Sequence, residues 1–444
     1  MTRAVGGKVA GQKTLRLGIA GLGTVGAGLA KLVERQDQLR LPGRLVITAV
    51  SARSKSRERG VDISKFRWVD DPVELATADD VDVVIELIGG SDGPAKRTVE
   101  AALKAGKAVV SANKALIAEH GMEIALLAEA NNAHLLFEAA VGGAIPIVRA
   151  IRNSLSGMHV TRVAGILNGT CNYILSEMLR TGAAYETVLA EAQRLGYAEA
   201  DPYLDVSGMD AAHKVLILAS IAFGARPEFG EVQVQGVSEI EAMDITLANK
   251  FDYRIKLVAE AFRAPTGRTK NGVVCRVAPA LVRLDHPLAQ VNGPLNSVVV
   301  EGEPVGRLTF TGPGAGAGPT AAAVMGDLAR LFEGVAMPPL GMPAAELKPL
   351  IAQPDASRDQ GSFFIGARLA DRPGVFADLA EALGEAGVSI DKLIQDSAGD
   401  TGAAPIAIMT HPCARAAVEQ ALARVADARI TADAPRLIRI ETRS

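Results

Sequence analysis

Alternation of short apolar strands with amphipathic helices is the feature of this sequence that most constrains its fold. From residue 14 to about residue 140, runs such as LRLGIA (15–20) and VDVVIELI (81–88) alternate with helical patterns such as PAKRTVEAALKAGK (94–107). Continuously apolar strands separated by helices indicate a parallel sheet that is covered on both faces. The pattern predicts an α/β domain at 14–140, after a flexible basic tail at 1–13.

The rhythm of the sequence changes after this domain. Residues 141–310 mix helices with more loosely spaced strands, which predicts a separate α+β domain, and the strand, glycine-rich turn and helix at 311–335 are expected to rejoin the first sheet. Residues 336–361 are rich in proline and polar residues and are predicted to be a linker. Residues 362–440 follow the order βαββαβ, which predicts a small ferredoxin-like module.

Composition excludes several classes of protein. A chain of 444 residues is too long for one compact core, so more than one domain is expected. The net charge of −3 gives no general attraction to nucleic acid or to an anionic membrane surface. No apolar run reaches the roughly 18 residues that a membrane span needs. The three cysteines are widely separated, which indicates a reducing, cytoplasmic location and argues against a disulfide framework or a zinc site.

The sequence GLGTVG at 21–26 follows a strand and opens a helix. In a dinucleotide-binding loop, Gly21 would permit the tight turn, Gly23 would let the backbone approach a pyrophosphate, and Gly26 would allow close packing of helix on strand. Glycines that merely turn a strand into a helix are the alternative. The βαβ context favours the first interpretation and predicts a Rossmann-type sheet that binds a nicotinamide dinucleotide.

Arg53 lies at the end of the second strand, where an NAD enzyme usually has an aspartate or glutamate. With Lys55 or Arg57 near it, this arginine suits a ribose phosphate better than a diol, which predicts NADP as the preferred cofactor, with NAD as the other candidate. A solvated basic loop is the alternative.

Segment 196–214, GYAEADPYLDVSGMDAAHK, gathers carboxylates and one lysine in an otherwise apolar neighbourhood. Asp210 and Lys214 are spaced i, i+4 at the start of a helix, so their side chains share a face, and an ordinary surface ion pair is one interpretation. The residues that follow are wholly apolar, which indicates a buried helix. Burial can lower the pKa of a lysine toward a range useful for proton transfer. The other interpretation is therefore a site that holds a small zwitterion and moves a proton.

Segment 192–214 resembles the signature of homoserine dehydrogenases. The matching positions, at the family's spacing, are Ala192, Gly196, Asp201, Pro202, Asp205, Gly208, Asp210 and Lys214. Segments 111–118, 137–147 and 165–175 are also similar to the family, so the resemblance covers roughly residues 14–335. The C-terminal module resembles an ACT domain. Tyr203 is a departure, at a variable position where a smaller residue such as threonine is expected.

The resemblance implies a reaction, the NAD(P)-dependent interconversion of L-homoserine and L-aspartate 4-semialdehyde in the biosynthesis of threonine, methionine and isoleucine. Lys214 matches the residue that transfers the proton, and Lys114 matches a second lysine close to the reacting groups and the cofactor. Glu199 and Asp210 match carboxylates that hold the substrate, and Asp205 matches a further acid of the site.

Further matches imply binding sites for other ligands. Residues that match cofactor contacts are Thr24, Val25, Asn168, Gly169, Thr170, Gly314 and Gly316. A monovalent cation such as sodium is implied, held by the side chain of Glu138 and the backbone carbonyls of Val141, Gly143 and Ile145, since oxygen ligands suit a hard cation. A glycine-rich hinge is the alternative for that segment.

The ACT resemblance implies L-threonine as the effector of a regulatory domain, with Asp371 and Gly374 near the ligand. Such modules pair edge to edge, which implies a homodimer or homotetramer. A module that serves only to dimerise the chain is the alternative.

Two rival functions are weighed against this one. A phosphorylating semialdehyde dehydrogenase needs a thiol nucleophile with a base beside it, and Cys171 is the only candidate in a plausible place and lacks an evident partner histidine. A catalytically inactive amino-acid sensor is the second rival, and the intact set of Glu199, Asp205, Asp210 and Lys214 argues against it.

Overall fold

The computed structural model describes residues 13–263, 272–334, 337–350, 359–370, 372–397, 403–427 and 430–441. Its helices are α1 Thr24–Glu34, α2 Glu74–Thr77, α3 Pro94–Lys104, α4 Lys114–Ala130, α5 Ile147–Arg149, α6 Gly169–Thr181, α7 Tyr185–Arg194, α8 Tyr203–Val206, α9 Met209–Phe223, α10 Ala242–Lys250, α11 Ala317–Leu331, α12 Val375–Glu385 and α13 Arg415–Asp427. None of the described helices combines the length and apolar character that crossing a membrane requires.

The strands are β1 Thr14–Ala20, β2 Arg44–Ser51, β3 Arg67–Val69, β4 Val83–Glu86, β5 Ala108–Ser111, β6 Leu135–Leu136, β7 His159–Ile166, β8 Gln233–Val234, β9 Tyr253–Arg263, β10 Val273–Arg283, β11 Leu295–Glu303, β12 Gly306–Pro313, β13 Gln360–Gly361, β14 Phe363–Ala370, β15 Ile390–Gln395, β16 Ala403–Thr410, β17 Cys413–Ala414 and β18 Arg436–Ile440. The described residues fall into two compact units. The first comprises those of Met1–Val160, Leu216–Phe229 and Gly312–Leu350, and the second comprises those of Thr161–Val215, Gly230–Thr311 and Ile351–Ser444.

The first unit contains a six-stranded sheet in the order β3-β2-β1-β4-β5-β6, and its strands pair in parallel. The prediction of a Rossmann-type parallel sheet is confirmed. Strand order reverses between β1 and β4, and the carboxyl ends of such strands are where open α/β sheets bind their ligands. Helix α11 packs closely against α1 in this unit. A Cβ placed on Gly28 of α1 would lie only 3.0 Å from the carbonyl oxygen of Ala317, the first residue of α11.

The second unit contains a ten-stranded sheet that runs β12-β11-β7-β9-β10-β18-β14-β16-β15, with β8 paired to β10. Its C-terminal part follows the predicted order βαββαβ, formed by β14, α12, β15, β16, α13 and β18. Strand β18 lies between β10 and β14 and pairs in parallel with β10 at Ala280–Arg439 and Leu281–Ile440. The sheet of the C-terminal module therefore continues the sheet that precedes it in the chain.

Most of the described part of the predicted linker, residues 337–350, belongs to the first unit, and residues 359–361 belong to the second. Leu340, Leu347 and Leu350 are buried. The amide of Lys348 donates to the carbonyl of Gly224, and its carbonyl accepts from the amide of Arg226. Proline and polar content predicted a linker, and the spaced leucines give this part of it an apolar side that burial stabilises.

A buried arginine crosslinks strands of the second unit. Arg162 on β7 donates from Nε to Glu260 on β9 (2.9 Å) and from Nη2 to Glu441, which follows β18 (2.7 Å). Its Nη1 lies 3.5 Å from Glu301 on β11. Burial alone would lower the pKa of Arg162, but the three carboxylates raise it above its ordinary value. Arg162 is thus held as a cation between strands that are distant in sequence.

Candidate active site

Helix α9 brings Asp210 and Lys214 together in a buried position. Both residues are less than one-tenth exposed, so the interpretation as a surface ion pair is wrong. The Nζ of Lys214 donates to Oδ2 of Asp210 (2.6 Å) and to the backbone carbonyl of Leu167 (2.7 Å). Gly208, with φ of +88°, provides the left-handed turn just before the helix. A buried, oriented ammonium results, which is the group that a proton-transfer site needs.

Asn168 organises the two aspartates of this cluster. Its Nδ2 donates to Oδ1 of Asp205 (2.8 Å) and to Oδ2 of Asp210 (2.9 Å). Its Oδ1 accepts from the amide of Cys171 (2.8 Å) and so caps the N-terminus of α6. These bonds use both N–H groups of the Asn168 side chain. The sequence predicts Asn168 only as a cofactor contact, because no local pattern pairs it with acids about forty positions later.

Asp205 lies in a polar environment and is partly buried. Burial, followed by the neighbouring Asp210 carboxylate, raises the pKa of Asp205, whereas the bonds from Asn168 and Thr170 lower it. Thr170 Oγ1 lies 3.1 Å from Oδ2 of Asp205 and 2.7 Å from the Tyr197 carbonyl. Gly169 packs closely against the segment that contains Pro294, since a Cβ on Gly169 would lie 2.7 Å from the carbonyl oxygen of Pro294.

The Cys171 side chain has the wrong properties for a nucleophile. It is buried, and burial raises the pKa of its thiol well above the ordinary value. Its Sγ lies 3.2 Å from the backbone carbonyl of Asp205. Because the thiolate is the reactive form, this environment argues against the rival of a phosphorylating semialdehyde dehydrogenase.

Glu199 is not part of the buried cluster. The residue is exposed, and its backbone carbonyl accepts a hydrogen bond from Nε2 of Gln193 (3.1 Å). It lies close in sequence to Tyr203 and Leu204, which are about three-fifths exposed. The structure therefore brings together Asn168, Asp205, Asp210 and Lys214, and leaves Glu199 on the surface.

Lys114 and Glu86 lie at the carboxyl edge of the first sheet. Glu86 was not among the site residues predicted from the sequence. Lys114 is the first residue of α4, directly after its N-cap Asn113. Glu86, at the end of β4, is fully buried and accepts from the amide of Ile88 (2.7 Å) and from Ser111 Oγ (2.7 Å). Burial raises the pKa of Glu86. The one carboxylate within the otherwise apolar β4, VVIE at Val83–Glu86, was the available signal for this residue.

A cavity of about 690 Å³ opens at the glycine-rich turn of the first unit. Gly21 has φ of +107°, and a Cβ there would lie 2.5 Å from the Leu87 carbonyl oxygen; a Cβ on Gly26 would lie 2.2 Å from the Gly21 carbonyl oxygen. Gly23 faces open space, with nothing within 4 Å of its Cβ position. Thr24 and Val25 start α1 at this point. A helix N-terminus beside an open backbone fits a pyrophosphate.

Arginines line the same cavity beyond β2. Arg53 and Arg57 are exposed there, and β2 ends at Ser51, two residues before Arg53, without a carboxylate at its last position. Arg59, which was not among the residues predicted from the sequence, donates from Nε to the Leu22 carbonyl (3.0 Å) and so connects the basic loop to the glycine-rich turn.

The segment predicted to bind a cation packs beside the late glycine turn. The Cβ position of Gly143 lies 2.6 Å from the carbonyl carbon of Gly314, and Gly316, with φ of +116°, caps α11. Strand β6 ends at Leu136, and a 3₁₀ turn follows at Glu138–Ala140. The Glu138 amide does not extend the hydrogen bonding of β6, because it donates to the side chain of Asp327 on α11 (2.8 Å).

Glu138 anchors the start of α5. Its two carboxylate oxygens accept from the amides of Val148 (3.0 Å) and Arg149 (2.8 Å), and burial raises its pKa. The Ile145 carbonyl accepts from the amide of Ile147 (2.8 Å). Burial raises the pKa of Asp327 to about 7, and its Oδ1 has no hydrogen-bond partner among the described residues. Two buried carboxylates thus lie side by side.

Comparisons with known proteins cover nearly the whole chain. Family models match at 21–138 (homoserine dehydrogenase, NAD binding domain), 146–329 (homoserine dehydrogenase) and 363–429 (ACT domain). The chain is 39% identical over 437 residues to the homoserine dehydrogenase of Mycobacterium tuberculosis, covering 97% of this chain and 98% of that one. It is 42% identical over 421 residues to that of Corynebacterium glutamicum, covering 93% and 91%.

A solved structure gives the same picture of similarity. The crystal structure of a homoserine dehydrogenase from Thiobacillus denitrificans superposes with a TM-score of 0.88 at 36% identity, covering 97% of this chain and 99% of that one.

Proposed function

The chain belongs to the homoserine dehydrogenase family, a nicotinamide-dependent oxidoreductase acting on a CH–OH group, and we propose that Lys214 moves the proton of its reaction. The substrates are L-homoserine and L-aspartate 4-semialdehyde. The observation that supports this proposal most directly is the buried Lys214 ammonium, which is held by Asp210 and the Leu167 carbonyl. When bound, the cofactor supplies or takes up the hydride at the carbon.

The proton requirement assigns the roles of the surrounding groups. During aldehyde reduction the Lys214 ammonium donates a proton to the oxygen that becomes the hydroxyl, and it takes that proton back in the reverse direction. Asp210 holds the lysine in position, and Asp205 binds the substrate ammonium, supported by the carboxylate charge beside it. Glu199 is proposed as a further substrate contact and Lys114 as a second cationic group near the reacting atoms. Such orientation lowers the barrier by fixing one oxygen near the acid.

The direct test of the activity follows the absorbance of reduced nicotinamide with L-homoserine, with NAD and NADP supplied separately. Turnover supports the enzyme. Absence of turnover with both cofactors, from a chain that binds an amino acid, would instead favour the catalytically inactive sensor.

Cofactor preference is proposed to favour NADP, with contacts from Gly21, Gly23, Gly26, Thr24, Val25, Lys114, Asn168, Gly169, Thr170, Gly314 and Gly316. Support comes from Arg53 and Arg57 in the cavity and from the absence of a carboxylate at Ser51, the end of β2. A guanidinium binds a ribose phosphate through charge-assisted hydrogen bonds.

Replacing Arg53 with alanine is expected to weaken NADP binding by about tenfold, or roughly 1.4 kcal/mol, and NAD binding much less. The reason is that only NADP carries the phosphate that Arg53 would contact. Dissociation constants for both cofactors measure the effect, with Arg35→Ala, an exposed arginine at the end of α1, as the control. Equal weakening for both cofactors would show that Arg53 does not read the phosphate.

Replacing Asn168 with alanine is expected to lower kcat/KM for homoserine and to move the acidic limb of its pH profile to higher pH. The Asn168 amide lowers the pKa of Asp205, so its loss lets that pKa rise. Asn168→Asp is the matched variant, because aspartate keeps the α6 cap but cannot donate to the two acids. A pH profile that stays unchanged in both variants would contradict this role.

A monovalent cation such as sodium is proposed at Glu138, Val141, Gly143 and Ile145. Support comes from oxygen chemistry, since each Glu138 oxygen accepts one amide hydrogen and keeps a further lone pair. Thermal stability in sodium or potassium, compared with choline at equal ionic strength, tests this. The same melting temperature in all three salts would contradict the cation site and favour the alternative, a glycine-rich hinge.

The ACT domain makes this an amino-acid-regulated enzyme, and L-threonine is proposed as its effector. Gly374 caps α12 with φ of +85°, whereas Asp371 lies outside the described residues. A homodimer or homotetramer and a cytoplasmic location are also proposed. Support for edge pairing comes from β15, which ends the described sheet. Light scattering measures the assembly, and a monomeric enzyme would contradict it.

A further inference from the structure

A second cavity, of about 360 Å³, lies inside the second unit where β18 and β10 diverge. The two strands pair at Ala280–Arg439 and Leu281–Ile440, and towards Arg276 on β10 they open into a cleft. One wall belongs to the sheet that carries the substrate-domain strands, and the other belongs to the ACT module. The volume falls in the range of about 300–1,000 Å³ that small-molecule sites occupy.

Six charged residues line this cavity, Glu260, Arg276, Asp359, Arg415, Arg439 and Glu441. Three are acidic and three are basic. Asp359 accepts from Nη2 of Arg439 and lies 3.7 Å from Nη1 of Arg276, so it connects the two walls. Arg415, at the start of α13, is the most exposed of the three arginines and pairs with Glu419 (2.7 Å).

Gln233 and Gln235 add polar amide groups, and the rest of the lining is apolar. Val234, Val277 and Pro279 form part of it. A ligand that carries one anionic group, one cationic group and a short side chain would match acids, bases and apolar wall together. A phosphate fits less well, because its negative charge would face the three carboxylates. A fully apolar ligand also fits less well, because it would displace water from six charged groups without offering them hydrogen bonds.

We propose that this cavity binds a small α-amino acid as its zwitterion, with the carboxylate at Arg415 and the ammonium at Glu441. The proposal rests on the amino-acid regulation proposed above and gives that regulation a place, in the cleft between β10 and β18 rather than at the turn before α12. The ammonium would compete with Arg162 on β7 for Glu441, which follows β18, so its binding changes how the ACT module is held. The carboxylate would compete with Glu419 for Arg415 within α13.

A short path of ion pairs and chain connectivity leads from the cavity to the buried cluster. Glu260 and Glu441, which line the cavity, both accept hydrogen bonds from Arg162. Arg162 is on β7, and the chain runs from β7 directly into Leu167 and Asn168, whose groups hold Lys214 and the aspartates. An occupant that draws Glu441 away from Arg162 therefore acts on the strand that positions the proton-transfer lysine.

The test uses the full-length enzyme and measures binding of L-threonine, L-isoleucine and L-methionine by calorimetry. Arg415→Ala removes one guanidinium and leaves the Arg276–Asp359–Arg439 set in place. It is expected to weaken binding of the tightest of the three by at least tenfold, with turnover at zero effector unchanged. Arg415→Lys should recover part of the affinity. Arg372→Ala, at the turn before α12 and half-exposed, is the matched control and should bind as the parent does.

Three results would overturn the proposal. The first is unchanged affinity in Arg415→Ala. The second is loss of affinity in Arg372→Ala alone, which would place the ligand at the turn. The third is no binding of any of the three amino acids at millimolar concentration. Turnover of L-homoserine is measured separately in every sample, so a failure of the regulatory site is distinguishable from a failure of the enzymatic function.

Discussion

Replacing Lys214 with methionine is expected to lower turnover by about 10²-fold or more, the usual contribution of a general acid, with the dissociation constant of the cofactor little changed. Methionine keeps the length of the side chain and removes the proton. The buried Lys214 ammonium has specific partners, Asp210 and the Leu167 carbonyl, so the loss would fall on the chemical step.

A second buried lysine supplies the control for this experiment. Lys256 on β9 is equally inaccessible, and its Nζ donates to Oδ1 of Asn172 (3.0 Å) and to the Val291 carbonyl (2.6 Å). Lys256→Met should lower the melting temperature but leave most of kcat. A Lys214→Met enzyme that keeps most of its activity would show that another group transfers the proton. An equal loss in both variants would show that the effect comes from removing any buried lysine, and it would contradict a specific role of Lys214.

Replacing Arg162 with methionine is expected to destabilise the fold by about 3–5 kcal/mol, because it leaves buried carboxylates without their partner. Glu260 and Glu441 are both buried, and Glu301 is largely so. Chemical denaturation of parent and variant measures the difference in the free energy of unfolding. Arg283→Met breaks an exposed pair with Asp285 and should cost less than about 1 kcal/mol.

Adding Glu441→Gln to the Arg162 variant should restore part of the lost stability, since it removes one of the stranded charges. No rescue, or a cost for Arg162→Met as small as for the exposed control, would show that the network does not hold the sheet together. The same geometry makes truncation before the ACT module a poor test of regulation. Removing β18 would expose the edge of β10 and take Glu441 from Arg162.

Local pattern predicted the parts of this molecule that depend on neighbours in sequence. The βα alternation and the turn at Gly21–Gly26 predicted the parallel sheet, since each strand needs only its own apolar residues to be recognised. The i, i+4 spacing placed Asp210 and Lys214 on one face of a helix, and the apolar run after Lys214 correctly indicated that the helix is buried.

Pattern could not predict partnerships between distant segments. Asn168 looked like a cofactor contact because its motif is local, whereas its hydrogen bonds go to acids on a later loop and helix. The packing of residues 337–350 was hidden by their prolines. Arg162 and Glu441 carried no signal at all, since 279 positions separate them and each alone resembles an ordinary surface charge.

The central place of β18 has a consequence for how the chain is made. Synthesis proceeds from the N-terminus, and segments begin to fold as they emerge from the ribosome. Strands β7, β9 and β10 emerge long before β18, so until then β10 presents an open edge and Arg162 lacks the Glu441 carboxylate. Pairing across 279 positions also closes a very long loop, which slows folding. The nascent chain therefore passes through a stage in which its nucleotide-binding sheet is complete, whereas its second sheet has an open edge that is prone to aggregation. During overproduction, we expect the chain to need chaperones mainly at that stage.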